Sequence, residues 1–338
     1  MQVYIHSPGT YLTQKNEIFR LKNQDRSLDL SPRKVESFVI TNQAMITTQA
    51  INLALENNID MVFLDAFGDP TGRIWFAKMG STALIRRKQL EMDQNDSGLM
   101  IVKDLIKNKI GNQVKFLKTL KNARPGKEHR FIDTILAIEK ILQTLEVTDG
   151  ENVIDLRNTI MGLEGTSARA YFKVLARAMP EKYRFKGRSR RPAKDPFNAV
   201  LNYCYGMLYG KVEKACIIAG LDPFIGFLHT DNYNKKSLVF DLIEPFRIFA
   251  ETTAVYLFTG RKMKDDYFDM YEHSVSLNKN GKPVVVEAMD KHLEEKVRYR
   301  RKNVKRRHIL HHEAHRLANY MIDDDKMKKP DWLSITEF

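Results

Sequence analysis

The chain is poor in cysteine, with only Cys204 and Cys216 among 338 residues. Two such residues cannot build the multi-bridge framework of a small secreted domain or supply the thiolates of a structural zinc site, so a reducing compartment is expected. Cys204 reads as a small buried hydrophobe rather than a nucleophile. No uninterrupted apolar run reaches about eighteen residues, which removes a membrane-spanning helix, and no membrane partner is expected. The start, "MQVYIHSPGTYL", lacks the basic leader and apolar block of a secretory signal, and a cytoplasmic protein is the expectation. Repeats of fixed period are missing. So are the phosphate loops G-x-x-x-x-G-K-[ST] and G-x-G-x-x-G, leaving nucleotide-driven chemistry without support.

What is present is core material and unevenly placed charge. Hydrophobic residues make up 43% of the chain, enough to fill a sizeable core. The net charge of +13 is confined to two segments. Residues 181–194, "EKYRFKGRSRRPAK", carry seven Lys/Arg against one Glu, and residues 291–307, "KHLEEKVRYRRKNVKRR", carry nine against two. Clustered positive charge is the footprint of a nucleic-acid or anionic-membrane partner, whose counterions are released on binding. Two solvated basic faces are the alternative.

The first part of the chain is β-rich, with "QVYIHS", "GTYLTQ", "EIFRLKN", "VESFVIT", "IDMVFLD" and "RIWFAK" as short strands and 46–58 as one helix. After "KMGST" (78–82) the pattern becomes helical and continues nearly to the end, with 151–180, 195–220 and 241–260 as the clearest segments. The fold class is therefore α+β. An N-terminal β-sandwich-like domain (1–82) precedes a larger all-α domain (83–338).

Three polar features stand out against this pattern. Glu164 lies on the apolar stripe of its own helix, with Ile160, Met161, Ala168, Tyr171 and Leu175 around it, and a carboxylate facing a core requires a partner. His229 sits where the apolar "GFL" gives way to a polar turn. In "SLVFDLIEPFR" (237–247), Asp241 and Glu244 are spaced to share a helix face beside Pro245, which weakens the helix. A divalent cation could neutralise the two acids. Alternatively, Arg247 pairs with Glu244 as an ordinary helix salt bridge. Carboxylates with one imidazole form a mainly oxygen donor set suited to Mg²⁺ or Mn²⁺.

His308, His311, His312 and His315 form a competing cluster near the C-terminus, with the spacing of a metal clip. "HEAH" has one residue too few for H-E-x-x-H, so the metalloprotease pattern fails. A basic amphipathic helix is the preferred reading, and a zinc hydrolase stays open beside it, as does a non-catalytic nucleic-acid-binding scaffold.

Through these residues the sequence resembles a known family, the CRISPR-associated endonuclease/integrase that is the catalytic subunit of the spacer-acquisition complex. "LEGTSARAYF" resembles its E-G-x-x-A-x-x-Y segment, and "GRSRRPAKDPFNAVLNYCYGMLY" its basic loop followed by D-P-x-N-x-x-L-x-x-x-Y. "GFLH" and "SLVFDLIEPFR" resemble its other active-site blocks, with weaker support from "IRRKQ", "NKIGNQ" and "HHEAHRLANYM". The resemblance implies a metal-dependent DNA integrase and nuclease that inserts short DNA fragments into the CRISPR array by 3′-hydroxyl attack on a phosphodiester. It implies a Mg²⁺ or Mn²⁺ held by Glu164, His229 and Glu244, with Asp241 as a supporting acid; many relatives carry Asp in place of Glu244. It further implies a homodimer that joins a small second adaptation subunit. Arg184, Lys186, Arg188, Arg190 and Arg191 become candidate DNA contacts, with Lys302, Lys305, Arg306 and Arg307 as a second zone. Arg247 is expected to orient Glu244 or the DNA.

Overall fold

The structure, a computed structural model, describes residues 2–322 apart from 25, 42, 65–69, 75–81, 127 and 230–234. Most of the sequence transition at 78–82 and the last four residues of "RIWFAK" therefore lie outside the described residues. The chain divides into two compact units, Met1–Met79 and Gly80–Phe338.

The first unit runs β1 (Gln2–Ile5), β2 (Thr10–Lys15), β3 (Ile18–Asn23), β4 (Arg26–Leu30), β5 (Ser37–Ile40), β6 (Ala44–Ile46), α1 (Thr48–Glu56), β7 (Asp60–Leu64) and β8 (Pro70–Ile74). Among the described residues these strands form two four-stranded sheets, ordered β1-β5-β7-β8 and β4-β3-β2-β6. The first sheet is parallel except at β8, and in the second only the β2–β6 pair is parallel. Side chains alternate across a strand, so Leu12 and Phe19 are buried from one sheet and Phe38 from the other. Phe19 and Phe38 meet edge to face at 4.9 Å, joining the sheets. Helix α1 starts at Thr47, whose hydroxyl accepts the Ala50 amide, and packs on β2 and β7. The short β4 and β6 have no counterpart among the strands expected from the sequence.

The second unit holds α2 (Thr82–Glu91), α3 (Asp96–Asn122), α4 (His129–Val147), α5 (Val153–Ala178), α6 (Pro196–Ile218), α7 (Ser237–Leu242) and α8 (Arg247–Thr259). Then come β9 (Phe268–Met270), β10 (Val275–Leu277), α9 (Gly281–Glu294), β11 (Lys296–Tyr299), β12 (Lys302–Lys305) and α10 (Arg306–Ile322). Local sequence chemistry sets the long helices. Asn95, Asn152 and Asp195 cap α3, α5 and α6 through side-chain oxygens that accept amides of the first turn, and Pro196 opens α6 where no amide is needed. Helix α3 packs on α4 and α5, and α6 on α8 and α10, around one large apolar core. Cys204 and Cys216 lie free within that core, and burial pushes the Cys204 thiol up to about 12.

Two findings differ from the sequence pattern. The helical C-terminal half also contains two antiparallel ribbons, β9–β10 and β11–β12. The second turns at Arg300 and Arg301 with φ of 46° and 65°, a left-handed region that side chains enter at some cost and that sequence reasoning normally reserves for Gly or Asn. The segment 241–260 is not one helix. It breaks into α7, a 3-10 turn over Glu244–Phe246, and α8, because Pro245 has no amide to continue the ladder. No helix among the described residues is long and apolar enough to cross a membrane.

Candidate active site

The break at Pro245 positions one half of the site. Asn112 of α3 donates its side-chain amide to the Pro245 carbonyl at 2.9 Å, fixing the turn against the longest helix of the second unit. Glu244, only 3% exposed, faces inward from that turn. Arg247 grips it in a two-pronged pair, Nε to Oε2 at 2.8 Å and Nη2 to Oε1 at 2.9 Å. The Arg247 guanidinium also lies over the rings of Tyr205 and Tyr209, 5.0 and 5.6 Å from their centres. Tyr205 is itself tied down, donating its hydroxyl to the buried Glu251 at 2.7 Å.

Glu164 arrives from the middle of α5. Its side chain is 25% exposed and forms a short ion pair with Lys109 of α3. The same ammonium contacts Glu244 Oε2 at 2.6 Å, so two carboxylates about eighty positions apart in sequence converge on one buried cation. Burial alone would raise the Glu244 carboxyl. The charges of Arg247 and Lys109 outweigh it and hold the group well below the ordinary carboxylate range. Burial likewise works against the Lys109 ammonium, and Glu244 with Glu164 reverses the sign, raising its pKa.

Asp241 does different work. It is buried at 1% exposure, and its Oδ2 accepts the amides of Phe227 and Leu228 at 2.6 and 3.1 Å. Its Oδ1 accepts the His229 amide at 3.0 Å and lies 2.6 Å from His229 Nδ1. A carboxylate only accepts, so the imidazole donates from Nδ1, and Nε2 is the ring nitrogen turned away from Asp241. Arg157 holds the other side of the same loop, donating to the carbonyls of Leu228 at 3.0 Å and Phe227 at 3.2 Å. Gly226 is required by close approach: a Cβ there would stand 2.5 Å from Ser237 Cβ and 2.8 Å from the His229 carbonyl.

The expectation that one cation neutralises Asp241 and Glu244 together is not met. Asp241 is occupied by the His229 loop, and Glu244 is paired with Arg247, the salt bridge that the i, i+3 spacing allowed. The partner that Glu164 required is Lys109, which sequence reasoning missed, along with Arg157. In the structure Lys109, Asn112 and Gln113 of "NKIGNQ" (108–113) fall among the buried residues of α3, a burial that this short polar stretch does not announce.

As arranged, no group of three or more His, Cys, Asp or Glu among the described residues is gathered to hold an ion, and this applies to the His308–His315 cluster also. The donor chemistry of Glu164, Glu244 and His229 nonetheless fits a hard divalent cation, with the two glutamates gathered on Lys109 and His229 held separately by Asp241. Glu164 and Glu244 already share one positive charge, and His229 has the second-sphere carboxylate that normally accompanies a metal-binding imidazole.

The basic loop 181–194 is organised by Asn198, fully buried in the first turn of α6. It donates to the Gly187 carbonyl at 2.9 Å and accepts from the Ser189 amide at 3.0 Å and Arg188 Nη1 at 2.9 Å. Arg188 also reaches Asn202 at 2.5 Å and lies over Tyr205, so this guanidinium braces the loop rather than facing outward. Arg184, Lys186, Arg190 and Arg191 are exposed. Arg184 lines a cavity of about 240 Å³ with Arg124, Arg130 and Arg177, three arginines absent from the sequence candidates. Of the second zone, Lys302 is exposed, while Lys305 and Arg307 pair with Glu294 at 2.7 and 2.5 Å and Arg306 with Glu295 at 2.5 Å.

Comparison with known proteins decides the family. The profile described as "CRISPR associated protein Cas1" matches residues 3–291. The chain belongs to the Cas1 family. A CRISPR-associated endonuclease Cas1 of Archaeoglobus fulgidus is 31% identical over 316 residues, covering 90% of this chain and 91% of that one. Among solved structures, a casposase bound to integration product superposes with a TM-score of 0.80 at 22% identity, covering 100% of this chain and 95% of the other. A chain of a Cas6-RT-Cas1–Cas2 complex gives 0.76 at 22% identity, covering 95% of this chain and 35% of that one. The two superpositions support the Cas1 fold of two unlike units, a β-rich one followed by a larger helical one.

Proposed function

We propose that this chain is the DNA integrase and endonuclease of CRISPR adaptation, inserting short fragments into the CRISPR array by 3′-hydroxyl attack on a phosphodiester. The observation that carries the proposal is the convergence of Glu164 and Glu244, from distant elements, on one buried cationic position. A buried and a half-buried carboxylate gathered in this way suit phosphoryl chemistry better than a structural role, for which an apolar pair would serve as well.

Glu164, Glu244 and His229 would hold the divalent cation, Mg²⁺ or Mn²⁺. Bound there, such an ion polarises a phosphoryl oxygen and lowers the pKa of an attacking hydroxyl or water. Arg247 holds Glu244 ionised and oriented, and Asp241 fixes the imidazole of His229 with its Nδ1 proton inward. In strand joining, the 3′-oxygen forms a new bond to phosphorus as the old P–O bond breaks, so a phosphodiester is exchanged without a covalent protein intermediate. Arg184, Lys186, Arg190 and Arg191 are the phosphate contacts of this reading, with Arg188 as their brace. The similarity to a chain of the Cas6-RT-Cas1–Cas2 complex supports action with a second adaptation subunit, and the homodimer expected from the sequence resemblance is part of this proposal.

The test uses the full chain with its small partner subunit and Mn²⁺, and fragments with free or blocked 3′-hydroxyls. Free ends join and blocked ends bind without joining. Glu164→Ala abolishes both joining and cleavage with DNA binding retained. Wild-type joining by a folded Glu164→Ala variant would overturn the assignment of Glu164, and a wild-type chain that binds free ends without joining them would be a DNA-binding scaffold.

A further inference from the structure

Lys109 has no part in the reaction as described, yet it occupies the centre of the site. Its side chain is only 7% exposed, and its ammonium touches the two glutamates assigned as metal ligands, one from α5 and one from the turn before α8. A lysine is seldom buried to this extent, because its charge loses hydration and its long side chain loses rotamer freedom. With Arg247, it sets two cations against two carboxylates, so the buried cluster is neutral. Asn112 and Gln113, from the same stretch of α3, hold the Pro245 carbonyl and Glu251, so the element carrying Lys109 is fixed to the turn that carries Glu244.

We propose that Lys109 is a positioning residue. It keeps Glu164 and Glu244 paired and neutral in the metal-free protein, and it yields their shared position to a divalent cation. The proposal rests on reading those two glutamates as metal ligands. Two effects of opposite sign follow. Without Lys109, two partly desolvated carboxylates face each other uncompensated, so the metal-free protein is weakened. The competing charge is also gone, so a divalent cation binds more tightly. A lysine that merely propped the helices apart would give the first effect and not the second.

The experiment measures Mn²⁺ binding by the electron paramagnetic resonance signal of free Mn²⁺, and thermal unfolding in chelator and in Mn²⁺, on the full chain. Lys109→Met is expected to lower the melting temperature in chelator, recover it in Mn²⁺, and bind Mn²⁺ about tenfold more tightly than wild type. Lys109→Arg, which keeps the charge, is expected to stay within about twofold of wild type. If Glu164→Gln weakens Mn²⁺ binding while Lys109→Met leaves it unchanged or weaker, the role of Lys109 is refuted and the metal site stands. If Glu164→Gln has no effect on Mn²⁺ binding, the metal-site reading fails and takes this inference with it. A wild-type measurement covers the case in which Lys109→Met does not fold. The ¹⁵N-ammonium resonance of Lys109 shifts on adding saturating Mg²⁺, and an unmoved resonance overturns the proposal.

Discussion

Residues 181–194 and 291–307 bring net charges of +6 and +7, and the fold disposes of them differently. In the first region the backbone is drawn inward by Asn198 and only Arg188 turns in with it, so Arg184, Lys186, Arg190 and Arg191 remain exposed. In the second, the β11–β12 ribbon folds the chain back on itself, setting Lys305, Arg306 and Arg307 against Glu294 and Glu295 at the end of α9. The cations left to solvent there are those of the ribbon, among them Lys296, Arg298 and Lys302. Similar charge in sequence thus becomes a solvent-exposed basic loop in one place and a partly paired ribbon and helix start in the other. The pairs differ in burial: Arg306 is buried in the second region, whereas the ion pairs of the first, Lys182 with Asp265 and Arg184 with Glu181, are exposed.

The largest expected effect tests that division directly. Replacing Arg184, Lys186 and Arg190 together by Gln should weaken DNA binding on the order of a hundredfold near 0.1 M salt, and reduce the slope of log affinity against log salt by about two to three. Replacing Lys305 and Arg307 by Gln should leave DNA affinity within about twofold, because those charges are already paired. Fluorescence anisotropy across a salt series measures both, and equal losses from the two sets would abolish the distinction.

Next in size is the anchor of the exposed loop. Asn198→Ala strands the Gly187 carbonyl and the inward face of Arg188 and should cost roughly 2 kcal/mol in urea unfolding. Asn202→Ala, whose residue is less buried, should cost less, and the reverse order would mean that Asn198 is not the anchor.

The last expected effect belongs to the paired region and depends on pH. His292, beneath Arg306, is held down to about 4 by burial and then by the Arg306 charge, against a weaker opposing pull from Glu295. The folded state therefore resists protonation while the unfolded chain takes up a proton from 6.5 downward. Stability contributed by neutral His292 is complete above that value and is lost as pH falls towards 4, by at most about 3 kcal/mol. His292→Gln should flatten this part of the stability–pH curve. An unchanged slope would place the effect elsewhere.

Much of the candidate site could be read from the chain. Glu164 betrayed itself as a carboxylate on an apolar stripe, and it does have a buried partner. Pro245 marked the break that separates α7 from α8. The Asp241–Glu244 spacing was visible too, but its meaning was not. A separation of three residues permits a shared cation, an i, i+3 salt bridge or two unrelated roles, and the second and third are found, because the break turns Asp241 to the His229 loop and Glu244 to Arg247. Lys109 and Arg157 were hidden for a similar reason. A single cation within a helix has no distinctive local pattern, and its partners lie 55 and more residues away.

The sequence by itself determined the β-rich beginning, the capped long helices, the proline break and the amount of positive charge, because each depends on neighbours within a few residues. Only the tertiary structure decided which carboxylates meet, which cation lies between them and which basic segment faces outward. Those outcomes depend on charge meeting charge across the core, where burial makes an unpaired group costly and so fixes its partner from anywhere in the chain.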